Sequence, residues 1–308
     1  MKKRFLRLSC LLSLCCGSFA AELPDYVRYR EDAAGARLEV AIRTLALPSG
    51  QKVDLIGVVH IADDSYYRLL NQRFTKYDSV LFELVGDPEA LTARAPAPRD
   101  ANGYQPGSGV VGMLQQSASK HLNLTFQLDA IDYTARNMVH ADLSFEELDA
   151  LQRERGETML TLFARAMQAQ MNGQMSGQAN AAMREFDTLG LIRILLSPDS
   201  AQAFKKSLAR VFDEMEAMTA AMEGNSASAI LGGRNDAAVK KVKEVLARKK
   251  QRHIAVFFGG AHMPGIETTL KKDLGATTSG EEWLAAWTMT NSPRADKTRA
   301  PGTTTPAS

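Results

Sequence analysis

The chain has 308 residues, with 37 Lys and Arg against 35 Asp and Glu, five His and three Cys. That length suits one large domain or two small ones. The near balance of charge, with no basic stripe and no zinc-finger spacing, gives no nucleic-acid footprint, so no nucleic-acid partner is expected.

The chain begins as a leader does. Lys2, Lys3, Arg4 and Arg7 make a basic start, Leu8 to Cys16 is apolar or small, and Ser18–Phe19–Ala20 places small residues where a signal peptidase reads them. This predicts a signal peptide over 1–20, cleaved before Ala21. The apolar stretch is too short to span a bilayer, and Leu14 stands before Cys15 where lipidation favours a small residue. Cleavage would remove Cys10, Cys15 and Cys16, leaving a mildly acidic mature chain with no disulfide, no thiol nucleophile and no stable membrane span. The expected setting is secretion across the inner membrane, into the periplasm.

Beyond the leader, Leu38–Leu45 alternates weakly and ends at the turn Pro48–Ser49–Gly50. Val53–Val59 reads as a strand. Asp63, Asp64 and Ser65 are N-cap candidates for a helix over Tyr66–Phe74. Ser79–Leu84, SVLFEL, reads as a buried parallel strand interrupted by Glu83, completing a strand–helix–strand unit. Pro88–Gly109 suggests an irregular excursion. A helix over Gly112–His121 and a strand over Leu122–Phe126 come after it. Ser144-x-x-Glu147 is a capping box opening a helix to about Arg155.

From about 156 to 224 the pattern is helical and holds eight of the thirteen methionines. Met167, Met171 and Met175 share one helix face. That face suits packed core, a cap over a cleft, or the interface of a homo-oligomer. A lysine-rich helix over Asp236–Gln251, a strand over His253–Phe258, a helix over Ile266–Leu274, a turn at Gly275–Glu281 and a short apolar segment over Glu282–Trp287 come next. The expected organisation is a single α/β domain over 21–289, with the helical insertion inside it and a disordered tail over 290–308. Its centre would be a mixed or mostly parallel sheet flanked by helices.

Two stretches carry the chemistry. Leu55–His60 reads LIGVVH and Phe257–His262 reads FFGGAH. Each runs apolar residues into glycine and then histidine. If both strands are parallel in one sheet, His60 and His262 emerge at its C-terminal edge, where open α/β sheets place their sites. Two neutral imidazoles there can bind one transition-metal ion, with Zn, Mn and Co the candidates. Glu83 is the third candidate, because a carboxylate at the end of an apolar strand needs a cation, a proton or hydrogen bonds. It would act as metal ligand or as the base that activates water. The structural alternative pairs Glu83 with Arg234 and leaves the histidines to cap backbone carbonyls. No H-E-x-x-H helix, G-x-S-x-G elbow or dinucleotide fingerprint is present. His121, His140 and His253 read as structural.

These motifs, with GGRN at Gly232–Asn235, AVFFGGAHMPG at Ala255–Gly265 and NLTFQLDAIDY at Asn123–Tyr133, resemble the TraB/PrgY/GumN family, which includes the Wnt-cleaving TIKI proteins. Val58 stands where that family's first motif has a hydroxyl residue. The resemblance implies a TIKI-like α/β fold similar to erythromycin esterase-like proteins. It implies a metal-dependent hydrolase, most closely a peptidase, with His60, Glu83 and His262 on a divalent ion and peptide or protein as substrate. Arg234 and Asn235 match the family's Arg-Asn pair and would lie nearby as catalytic residues, Arg234 stabilising a developing oxyanion. Other branches of the family imply a non-catalytic peptide- or signal-binding inhibitor, and a metal-free esterase with a histidine base is a third reading.

Overall fold

The computed structural model describes residues 25–89, 122, 124–157, 199–223 and 229–290. The expected signal peptide over 1–20, the expected helix over 112–121, the expected methionine face at 167–175, most of the expected 88–109 excursion and the expected tail beyond Thr290 lie outside them.

The described residues build a mixed α/β fold. In chain order the elements are β1 (Val27–Asp32), β2 (Gly35–Ala46), β3 (Lys52–Val58), β4 (Ile61–Ala62), α1 (Asp64–Phe74), β5 (Ser79–Phe82), β6 (Thr125–Phe126), α2 (Gln127–Ala130) and β7 (Met138–His140). Then come α3 (Phe145–Glu154), α4 (Ser200–Glu223), a π turn at Ala229–Gly233, α5 (Arg234–Leu246), β8 (His253–Gly259), a 3-10 turn at Gly260–His262, α6 (Met263–Leu274) and β9 (Thr277–Thr290).

One sheet organises the fold. Its order is β1-β2-β3-β8-β5-β7, with β9 running along β2. β1, β2, β3 and β9 pair antiparallel. β3, β8, β5 and β7 are all parallel. The reason lies in their side chains: β3, β5 and β8 are almost wholly apolar and buried, so both faces must be covered. Their residues alternate between two cores. Ile56, Val58, Val80, Phe82 and Phe257 face α1 and α4. Val53, Leu55, Leu81, Val256 and Phe258 face α5 and α6. Phe257 meets Phe74 of α1 edge-on, with ring centroids 5.0 Å apart, and burying each such ring contributes about 2–3 kcal/mol.

The capping box forms in full. Ser144 Oγ accepts from the Glu147 amide at 3.1 Å, and the Ser144 amide donates to Glu147 Oε2 at 2.8 Å. Asp63 precedes α1 but caps nothing with its side chain. Its carboxylate instead takes Lys205 Nζ from α4 at 2.6 Å and the Thr288 amide from β9 at 2.7 Å.

Several expectations need correction. The strand over 79–84 stops at Phe82, so Glu83 lies just past it rather than within it. The strand over 122–126 shrinks to β6, which pairs with β4 in a separate two-stranded sheet. α5 begins at Arg234 and ends at Leu246, short of Gln251. From Thr277 on, the expected turn at 275–281 and the apolar segment after it form one 14-residue strand, β9. Its first half is polar and exposed, so pairing with β2, not burial, holds it. No helix among the described residues is long and apolar enough to cross a membrane.

Candidate functional site

The parallel register puts the candidates on one edge. Lys52 pairs with His253 and Val58 with Gly259, so β3 and β8 end level. His60 follows β3, His262 sits in the 3-10 turn after β8, and Glu83 follows β5 on the far side of β8. The C-terminal edge therefore gathers both histidines and the glutamate, as the paired motifs predicted.

Glu83 is the hub, and its side chain is only 9% exposed. Oε2 accepts the Gly259 amide at 2.6 Å. Oε1 accepts an Arg234 guanidinium N–H at 2.5 Å and lies 3.4 Å from His262 Nε2. Burial by itself would push the carboxyl up. The hydrogen bond and charge of His262, then the charges of Arg234 and His60, outweigh it and hold Glu83 well below the usual carboxylate range.

The two histidines are wired alike. His60 Nδ1 lies 2.9 Å from Gln127 Oε1, and His262 Nδ1 lies 2.7 Å from Asn235 Oδ1. An amide oxygen only accepts, so each Nδ1 carries a proton and each ring presents its Nε2 on the opposite side. His262 Nε2 is turned to Glu83. His60 Nε2 and Glu83 Oε2 both approach the bare Cα of Gly259: a Cβ there would lie 3.5 Å from the first and 3.3 Å from the second. The glycine is what lets the ring and the carboxylate close on the same spot. His262 is buried, whereas His60 is exposed to solvent.

A second layer holds these groups. Gln127 donates from Nε2 to the Tyr133 hydroxyl at 2.9 Å, which orients the amide toward His60. Arg234 grips Asp142 through Nε at 2.9 Å and an NH2 proton at 2.6 Å while also holding Glu83. Burial by itself would lower the Arg234 pKa; Asp142 and Glu83 raise it above its ordinary value. Asn235 meets His262 rather than the open edge, so it positions that ring. His140 donates through Nε2 to the Leu84 carbonyl, 2.7 Å away, and is structural.

The chain matches no protein-family model, and no curated protein matches it.

The reading of the site rests on its geometry. One edge assembles His60, Glu83, His262, Arg234 and Asn235, all five residues that sequence reasoning singled out. It also adds Asp142, Gln127 and Tyr133. Asp142 had a signal, being an acid two residues past a short apolar stretch, much as Glu83 closes one. Gln127 had only its position in NLTFQLDAIDY. Among the described residues no three His, Cys, Asp or Glu side chains stand as a ready-made group around an ion. The atoms a divalent ion would use here are His60 Nε2, His262 Nε2 and the lone pairs of Glu83 not taken by Gly259 and Arg234.

Proposed function

We propose that the protein is a metal-dependent hydrolase of the TraB/PrgY/GumN family, acting on peptides in the periplasm. One observation carries this: two histidines just past neighbouring parallel strands, each with Nδ1 tied to a side-chain amide, gather at one buried carboxylate, His262 Nε2 lying 3.4 Å from Glu83 and His60 Nε2 beside Gly259, whose amide Glu83 accepts. That wiring is how metal-ligating histidines are oriented. The donor set, two imidazoles and a carboxylate, suits Zn²⁺, Mn²⁺ or Co²⁺. His262 Nε2 and Glu83 Oε1, 3.4 Å apart, would hold the ion together with His60 Nε2. When bound, the ion would supply Lewis acidity and lower the pKa of water.

The chain's own residues divide the remaining work. His60 and His262 are held through Nδ1 by Gln127 and Asn235, which fixes the direction of each Nε2. Glu83, held ionised by the Arg234 guanidinium and the Gly259 amide, would serve as a ligand or as the base that activates water. Arg234 fixes the Glu83 carboxylate and is itself fixed by buried Asp142. His60, the exposed member, faces the side from which substrate and water arrive.

A second reading has its own observation. Glu83, Arg234, Asp142 and the Gly259 amide form a network whose charges already balance in part without an ion. That favours a non-catalytic peptide- or signal-binding protein. Measuring metal content together with cleavage of a mixed peptide library decides between them. The hydrolase reading expects about one equivalent of metal and cleavage that His262→Ala abolishes. Stoichiometric loading with each of the three metals and no cleavage would sink it.

A further inference from the structure

The charges of the chain nearly balance, but the fold sorts them by edge. Residues 240–252 hold seven lysines and arginines against one acid, Glu244. α5 starts beside the candidate site, where Arg234 and Asn235 reach Glu83 and His262. It ends at Leu246, and the chain then turns into β8. The basic second half of α5 and the loop after it are thereby delivered to the N-terminal edge of the parallel strands. Lys52, which opens β3, joins them there, its amide donating to the Arg252 carbonyl at 2.9 Å. Lys240, Arg248, Lys249, Lys250, Arg252 and Lys52 are all exposed, and among the described residues none of them makes an ion pair. Three exposed acids beside them are already engaged. Glu244 holds Lys241 at 2.9 Å and Asp273 holds Lys243 at 2.7 Å. Asp78 Oδ2 accepts the Arg252 and His253 amides at 2.7 and 2.9 Å.

The loop that carries this charge is pinned at both ends. Gln51 Nε2 donates to the Leu246 carbonyl at 2.9 Å and to the Gln251 carbonyl at 2.7 Å, while Asp78 clamps the far end. Lys250 between them takes φ 77°, a left-handed conformation that favours glycine. A lysine therefore stands, against its backbone preference, at the turn of an already basic loop. Such strain persists where the surroundings over-determine the backbone, and it marks functional positions.

The other edge has the opposite sign. Asp87, Glu89, Asp129, Glu146 and Asp236 are exposed around the candidate site, and Arg153 there is paired with Asp149. The basic edge also lacks any apolar anchor. The exposed large hydrophobics among the described residues are Leu69, Leu128 and Phe145, and none lies in it. A protein partner needs an apolar centre with aromatic hot spots, and single-stranded nucleic acid needs aromatics on which bases stack. A sheet of anionic headgroups needs only clustered lysine and arginine. We propose that the N-terminal edge of the sheet docks on a bilayer of anionic phospholipid through Lys240, Arg248, Lys249, Lys250 and Arg252. The acidic edge then faces the aqueous side. This surface lies opposite the candidate site and is independent of what that site binds.

Co-sedimentation with phosphatidylcholine vesicles, with and without phosphatidylglycerol, tests this on the chain recovered after export and leader cleavage. The chain should bind only the anionic vesicles. Raising the salt from about 0.05 M to about 0.5 M should release it, because screening shortens the reach of exposed charges. Arg248→Gln, Lys249→Gln and Lys250→Gly together leave the Gln51 and Asp78 contacts in place and should weaken binding at least about tenfold. A control removes the same charge elsewhere, through Arg30→Gln, Arg68→Gln and Arg153→Gln, and should weaken it less than about twofold. No binding to anionic vesicles would overturn the proposal, as would equal binding to phosphatidylcholine alone or an equal loss in the control. Capture of a DNA duplex without capture of anionic vesicles would assign the patch to nucleic acid and overturn it too.

Discussion

Glu83 Oε2 accepts the Gly259 amide at 2.6 Å, which ties the end of β5 directly to the turn that carries His262. The absence of a side chain at residue 259 leaves room for the carboxylate to lie close beside it. A Cβ there would sit 3.3 Å from Oε2 and 3.5 Å from His60 Nε2. The backbone at 259 is extended, with φ −49° and ψ 141°, so an alanine is not strained by its own torsions. Gly259→Ala should therefore fold with a loss of about 1 kcal/mol from crowding. It should lower peptide hydrolysis at least tenfold by pushing His60 and Glu83 apart. Denaturant melts and turnover assays on the same sample check both halves, and unchanged turnover would contradict the shared-cradle geometry.

Replacing Glu83 by Gln tests the charge at the hub. The Gly259 and Arg234 N–H groups donate to different carboxylate oxygens, and a Gln amide keeps only one of the two as an acceptor. Loss of one partner from a buried ion pair costs about 3 kcal/mol. The pH dependence comes from the depressed pKa. A carboxyl lowered on folding contributes stability that is fully present above the unfolded value of about 4.3 and is lost as pH falls toward the folded value. The parent's melting temperature should thus drop more steeply than that of Glu83→Gln between about pH 5 and pH 3. Parallel curves would show that Glu83 is not held ionised by its neighbours.

The histidine wiring makes a separate prediction. Gln127→Leu removes the acceptor for His60 Nδ1 and the donor to Tyr133, and Asn235→Leu removes the acceptor for His262. Loss of such supporting partners typically lowers metal affinity or activity ten- to hundredfold. Both variants should show that loss in Zn²⁺ titrations, while Gln127→Asn, which keeps the amide, should recover part of it. Full affinity in both leucine variants would mean that the tautomers are set by something else.

The forces that hold each element decide whether the sequence displayed it. LIGVVH and FFGGAH were legible because burial on both faces demands continuous apolar runs, and glycine marks the close approach of backbone to a polar group. Their pairing needed only parallel register, which the Lys52–His253 alignment supplies. Glu83 was legible as a charge out of place at an apolar strand's end. β1 and the first half of β9 were not, because hydrogen bonding along β2 holds them and leaves no apolar period. β7 is three residues long, too short to read as a strand, so the signal of Asp142 just beyond it was weak. The partner of Arg234 was read as Glu83 alone, while Asp142 takes the larger share of the guanidinium.

Lys205 supplies the last test, and it concerns docking rather than chemistry. It lies on α4, its side chain is 5% exposed, and its Nζ donates to Asp63 Oδ1 at 2.6 Å and to the Thr288 carbonyl at 3.3 Å. Asp63 in turn accepts the Thr288 amide. One ammonium thus joins α4 to the start of α1 and to β9. Lys205→Met keeps the stem's apolar packing but leaves the Asp63 carboxylate with a single backbone donor, so about 3 kcal/mol should be lost. Removing the uncompensated charge as well, in Lys205→Met with Asp63→Asn, should return part of that, because the introduced amide oxygen would still accept from Thr288. The two changes should then be non-additive in urea melts by at least about 1 kcal/mol. If Lys205→Met alone is neutral within about 0.5 kcal/mol, the ammonium is not what holds α4 against the sheet, and the apolar contacts of Phe204, Leu208 and Phe212 suffice.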